Sequence, residues 1–195
     1  MGTNMSTRLG AACGVAFPLA LIAGRDRGGV FMLGAFGLVL FVPFLAYVCS
    51  LLRAVERPGG WLTSCAFGAG LMGMTLKLAS GEPEIAYRSV PRGSQAHQAL
   101  DGLASGATIV SLYPFGIFMA VVAYLSLRAG ALPRWLGVFA ALTSAALLVN
   151  GSFKHAGTVP ALLLFIVWSL VAGTALLIRE LRVGATDPAT AAIAQ

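Results

Sequence analysis

Charge is what this sequence has least of. Only 10% of its 195 residues are Asp, Glu, Lys or Arg, where a soluble domain carries roughly 25%. Apolar residues make up 58%, and the mean hydropathy is +0.86. A chain of this length cannot cover so much apolar surface in water with so few charges. The solvent it meets is therefore lipid. Histidine and cysteine are scarce too. Cys13, Cys49 and Cys65 all lie within apolar runs. No Cys-x-x-Cys occurs, and an odd count cannot pair fully within one chain, so these read as small, reduced, buried residues. No His-x-x-x-His or Glu-x-x-His sets metal ligands on one helix face, so no metal and no cofactor are expected. There is no Walker-type glycine loop and no Gly-x-Ser-x-Gly. Lys and Arg never cluster, which excludes a nucleic-acid partner. The net charge of +6 instead suits short loops lying on anionic lipid headgroups, which makes membrane lipids the expected partners.

What is present is a series of apolar stretches, at about 9–24, 30–52, 61–80, 103–127, 132–153 and 158–178. A spanning helix needs about 20 such residues. The prediction is an all-α, polytopic membrane bundle of about six transmembrane helices over 1–182, with a polar, disordered tail over 183–195. The stretches are uniformly apolar rather than alternating, which excludes a membrane β-barrel. The first stretch is short and holds Pro18. It reads as a tilted or bilayer-thinning span. A signal peptide is the alternative, though Ala20-Leu21-Ile22-Ala23 lacks a small-x-small cleavage pattern. Pro133 and Pro160 sit near helix starts, where a missing N–H is harmless. Pro43 and Pro114 sit inside spans, where kinks are expected. Gly10 with Gly14, Gly102 with Gly106, Ala69 with Gly73 and Ala141 with Ala145 place small residues four apart, which lets helix backbones approach in lipid. Packing within the chain is favoured over a dimer seam, and a homo-oligomer remains open.

With six spans both termini share a side. That side carries Arg8, Arg53, Arg57, Arg128, Arg134, Arg179 and Arg182. The other carries Arg25, Arg27, Lys77, Arg88, Arg92 and Lys154. Lys77 lies within an apolar run, so the loop count tilts toward cytoplasmic termini in a cell inner membrane. Trp61 and Trp135 are placed as interfacial anchors.

Intramembrane and membrane-edge charges are costly and often functional. Here they form a collar on one face: Lys77, Glu82, Glu84, His97, Asp101, Asn150, Lys154 and His155. Asp101, Glu84, His97 and His155 are the candidate acid–base groups. Lys77, Glu82, Asn150, Lys154 and Tyr113 are the candidate ligand-binding groups. Glu84 and Arg88 are spaced i,i+4 with the acid first, as helices favour. His97 and Asp101 share that spacing, and Asp101 would then favour the protonated imidazole. Lys77 either snorkels to the surface or pairs with Asp101. Tyr113, beside Pro114, could bond a carbonyl freed by the kink. The bland alternative is ordinary loop charge with one snorkelling lysine.

Ala131-Leu132-Pro133-Arg134-Trp135-Leu136-Gly137 resembles the PRW-LG junction of small bacterial multi-pass membrane proteins classed as domains of unknown function. Phe44-Leu45-Ala46-Tyr47, Leu51-Leu52-Arg53, Gln98-Ala99-Leu100-Asp101 and Trp168 look similar as well, so the likeness covers roughly 30–182. It implies a helical bundle and assigns no catalytic residue. The loop Arg25 to Gly29 is shorter than in that group. The leading functional expectation is a multi-pass membrane protein with a ligand-binding, transport-accessory or membrane-structural role. The alternatives are an intramembrane enzyme acting on a lipid or isoprenoid-like substrate, and an oligomeric minimal transporter or channel.

Overall fold

The computed structural model describes residues 5–23, 31–152 and 159–185. Every regular element among them is helical: α1 (Met5–Ala23), α2 (Phe31–Val55), α3 (Leu62–Ala79), α4 (Gly81–Arg88), α5 (Gln95–Ala129), α6 (Arg134–Ser152) and α7 (Val159–Ala185). Six helical segments are long and apolar enough to cross a membrane, with α3 and α4 together forming one of them. The protein is thus a multi-pass helical membrane protein. The expected tail falls largely outside the described residues.

Helix ends follow from local chemistry. α5 starts eight residues before its apolar stretch because Ser94 caps it, accepting the His97 N–H at 3.1 Å. A serine hydroxyl there satisfies one of the orphan donors of the first turn. α5 stops at Gly130, whose φ of +74° suits glycine. Ala131 and Leu132 are buried in the turn that follows. The Pro133 carbonyl then accepts the Leu136 and Gly137 N–H groups at 2.9 and 3.2 Å, launching α6. The Pro133–Gly137 phrase is therefore a turn between helices. α3 and α4 separate at Ser80 because Pro83 has no N–H for the Ala79 carbonyl. Pro43 and Pro114, by contrast, lie inside helices that continue through them.

The start of α3 is capped from a distance. Trp61 precedes the helix and offers no side-chain cap. The Glu56 carboxylate, from beyond the Pro58-Gly59-Gly60 turn, accepts the Leu62 N–H at 2.7 Å and the Thr63 N–H at 3.2 Å. Arg53 Nη1 pairs with Glu56 Oε2 at 3.3 Å and donates to the Gly60 carbonyl at 2.9 Å.

The chain forms two compact units, Met1–Val48 with Ile166–Gln195, and Cys49–Phe165. In the first, Phe17 of α1, Phe41 and Phe44 of α2 and Trp168 of α7 build the core. Phe17 and Phe41 meet edge to face at 5.2 Å, and Phe44 lies 6.5 Å from Trp168. The Gly10–Gly14 pair is used within the chain, as expected. A Cβ on Gly10 would meet Tyr47, and one on Gly173 would lie 2.6 Å from the Gly14 backbone carbon. α1 is therefore a packed member of this unit.

In the second unit α5 is central and packs on α3, α4 and α6. It buries Leu112, Phe115, Phe118, Met119 and Val122. Gly73 faces the Phe115 ring and Gly116 faces Leu148. Gly102 and Gly106 differ: a Cβ on either meets nothing within 4 Å. The expectation that this second pair packs within the chain is corrected among the described residues, because neither glycine comes into close approach with another element there. Hydroxyls in the spans mostly turn back on their own helices. Thr75, Thr143, Ser152 and Thr174 donate to carbonyls four residues earlier, at 2.8–3.0 Å. That satisfies them where no water is available.

Candidate functional site

The described part of the collar falls within the second unit. α5 carries His97 and Asp101 on its N-terminal extension, beyond the apolar stretch. Asp101 is exposed and His97 half-buried. α4 carries Glu82, exposed, and Glu84, half-buried, in its first turn. It also fixes Glu84 and Arg88 on one short helix. Asn150 is half-buried near the end of α6. Lys154 and His155 lie outside the described residues.

Lys77 is the collar residue with the most informative environment. Its ammonium donates to Thr108 Oγ1 at 3.0 Å and to Ser80 Oγ at 3.3 Å. Ser80, only 2% exposed, donates in turn to the Lys77 carbonyl at 2.7 Å. The Glu84 carboxylate acts electrostatically on the ammonium. The expected pairing of Lys77 with Asp101 is therefore corrected: the ammonium bonds Thr108 and Ser80 instead. Register is the reason. Thr108 lies two turns, about 10 Å, along α5 from Asp101, and the α3–α5 contact sets Lys77 opposite Thr108. Hydrogen bonds to a charged group contribute about 1.5–3 kcal/mol each, which offsets part of the cost of holding an ammonium away from bulk water.

Tyr113 is corrected in its partner. Its hydroxyl donates to the Gly151 carbonyl at 2.8 Å. That carbonyl belongs to the last turn of α6, where helix carbonyls lack intrahelical donors. The ring packs over Gly151, where a Cβ would lie 3.2 Å away. Ser144 makes the matching link lower down, donating to the Gly116 carbonyl at 2.8 Å. Tyr113 and Ser144 thus tie α5 to α6.

Two sets of residues were missed from sequence. Ser80 was one, although its i,i+3 spacing from Lys77 at a helix end was a usable signal. The other is in the first unit. Glu180 of α7 accepts the Tyr47 hydroxyl at 2.9 Å and the Thr7 hydroxyl at 3.2 Å. Tyr47 is only 6% exposed. Glu180 reads as a loop charge in sequence, but α7 continues past it to Ala185. Elsewhere, the Thr63 side chain and the Leu62 and Thr63 N–H groups hold the Glu56 carboxyl below the usual carboxylate range.

Among the described residues, no three His, Cys, Asp or Glu side chains gather as metal ligands would. Comparison with family models, curated proteins and solved structures gives no match.

Proposed function

We propose that this multi-pass protein is a non-catalytic, ligand-binding component of the cell inner membrane, with Lys77 as the group that holds the ligand. The observation that carries this reading is the ammonium held on two hydroxyls. An ammonium has three donors. Two are taken by Ser80 and Thr108, and among the described residues no protein acceptor takes the third. A cation fixed in this way within a spanning segment is suited to an anionic group of a ligand.

The acid–base alternative needs a carboxylate held toward a substrate. Asp101 is exposed on the α5 extension, which does not favour it. A channel needs a polar stripe through the bilayer, whereas Thr75, Thr143 and Thr174 are bonded to their own helices. The support for cytoplasmic termini is the excess of Arg on the loops of that side.

The test is to extract lipids and small molecules from purified wild-type and Lys77→Gln protein and compare them by mass spectrometry. A species held in stoichiometric amount by the wild type and lost from the folded variant supports the reading. Identical extracts from two folded proteins overturn it.

A further inference from the structure

The end of the second unit away from the collar has its own arrangement of charge. Lys77 bonds Thr108 and Gly73 faces the Phe115 ring, so α3 and α5 run antiparallel. Followed back to Leu62, this register brings the start of α3 to the last two turns of α5. Gly116 faces Leu148 and Gly137 faces Ser126, which sets the start of α6 beside the same turns. One end of the unit therefore gathers Arg57 from the turn before α3, Arg128 from the last turn of α5 and Arg134 from the start of α6. All three are exposed. Among the described residues none of them is in an ion pair or a side-chain hydrogen bond. The carboxylate at this end, Glu56, is already engaged by the Leu62 and Thr63 N–H groups and by Arg53. The collar end is different, for there Glu82, Glu84 and Asp101 accompany the cations.

The level of the three guanidiniums is fixed by three span ends. Spanning segments begin at Leu62 and at Arg134, and one ends at Ala129. Trp61 and Trp135 adjoin these ends with 68% and 53% exposure, and exposed indoles belong in the headgroup layer. Lipid phosphates lie just outside the hydrocarbon core, where spanning helices end. A guanidinium takes two phosphate oxygens at once. A headgroup that carries its own ammonium brings a cation toward three unpaired cations, whereas one with net negative charge brings none. A nucleic acid or an acidic protein would have to displace lipid from around the two indoles. We propose that this end of the second unit is a binding surface for phospholipids of net negative charge, with their phosphates on Arg57, Arg128 and Arg134. The inference is independent of the Lys77 reading.

The experiment equilibrates the full chain in mixed micelles of phosphatidylglycerol, phosphatidylethanolamine and phosphatidylcholine, in equal amounts and with identical acyl chains. The protein is repurified and its retained lipid is counted by mass spectrometry. Wild type should retain phosphatidylglycerol in preference to both zwitterionic lipids. Arg57→Gln, Arg128→Gln and Arg134→Gln should each cut that preference about fivefold, the usual worth of one basic residue at an anionic surface, and the triple variant should abolish it. Arg92→Gln, at the collar end, should leave it unchanged. Raising the salt to about 0.5 M should erase most of the preference in the wild type, an arm that needs no variant to fold. Millimolar inorganic phosphate at constant ionic strength should not displace the lipid. Displacement would assign the surface to soluble phosphates and overturn the lipid source. Equal retention of the three lipids by wild type overturns the proposal, as does a preference that survives in the folded triple variant or falls as far with Arg92→Gln.

Discussion

A carboxylate that accepts hydrogen bonds from backbone N–H groups is harder to protonate than one in water. Glu56 does so at the start of α3, with its side chain only 4% exposed. Its folded pKa lies below its unfolded value. The carboxylate's contribution is therefore complete above the usual carboxylate range and is lost as pH falls through the depressed folded value. Protection of the Leu62 and Thr63 amides, after division by the intrinsic exchange rate at each pH, should fall on acidification below that range, and Glu56→Gln should leave that protection low and independent of pH. This cap was not legible in sequence, because capping signals are sought at the residue before a helix and Glu56 acts across a turn closed by Gly59, at a φ of +81°. Lys77 was legible as an unusual residue but not in its partners. Which hydroxyl faces it depends on the register of α3 against α5, and a sequence of small and apolar residues does not encode that register in a periodic pattern.

Pairs of elements divide into those that meet through bare backbone and those that do not. Gly173→Ala would place a Cβ 2.6–2.9 Å from the Gly14 carbonyl and the Val15 nitrogen, backbone atoms that cannot rotate away. It should destabilise the first unit by about 1–3 kcal/mol, the usual size of overpacking, read as a lowered unfolding midpoint in detergent. Gly102→Ala, with nothing within 4 Å, should be neutral or stabilising by up to about 1 kcal/mol through helix propensity. If both substitutions behave alike, the packing described for α1 and α7 is wrong. The Glu180 clamp joins α1, α2 and α7 by two hydroxyls. A double-mutant cycle of Tyr47→Phe and Glu180→Gln should give a coupling of about 1–2 kcal/mol, within the range for hydrogen bonds inside membranes. At this scale the sequence was read well in number and type. Its apolar stretches locate every spanning helix, since length and hydropathy alone decide what crosses lipid. The ends were read less well, because Ser94 extends α5 into polar sequence that hydropathy assigns to a loop.

For the molecule as a whole, six helices able to span fix an alternation of sides. The loop at 56–61 and the loop at 89–94 flank a single crossing made by α3 and α4. Single cysteines replacing Arg57 and Arg92, in a chain whose Cys13, Cys49 and Cys65 are changed to Ser or Ala, should react with a membrane-impermeant maleimide from opposite faces of sealed vesicles. Labelling of both from one face would remove the third span. The membrane character of the chain was the most legible property of all, because it is a sum over composition and needs no contact to be known. The site was the least legible. Its residues come from α3, the α3–α4 junction and α5, and only the packing of those elements brings Lys77, Ser80 and Thr108 together.

The length of α5 has a mechanical consequence. From Gly102 to Leu127 it carries no charge, an uncharged rod of about 39 Å at 1.5 Å per residue. Its neighbour α6 has only 19 residues, about 28 Å, close to the roughly 30 Å of hydrocarbon in a typical bilayer. One strut is cut to the width of the film and the one beside it is too long. The longer must lean, or the film must swell around it. Thinning the bilayer therefore loads the joint between α5 and α6, where Tyr113 and Ser144 are fastened, and thickening it relieves that load.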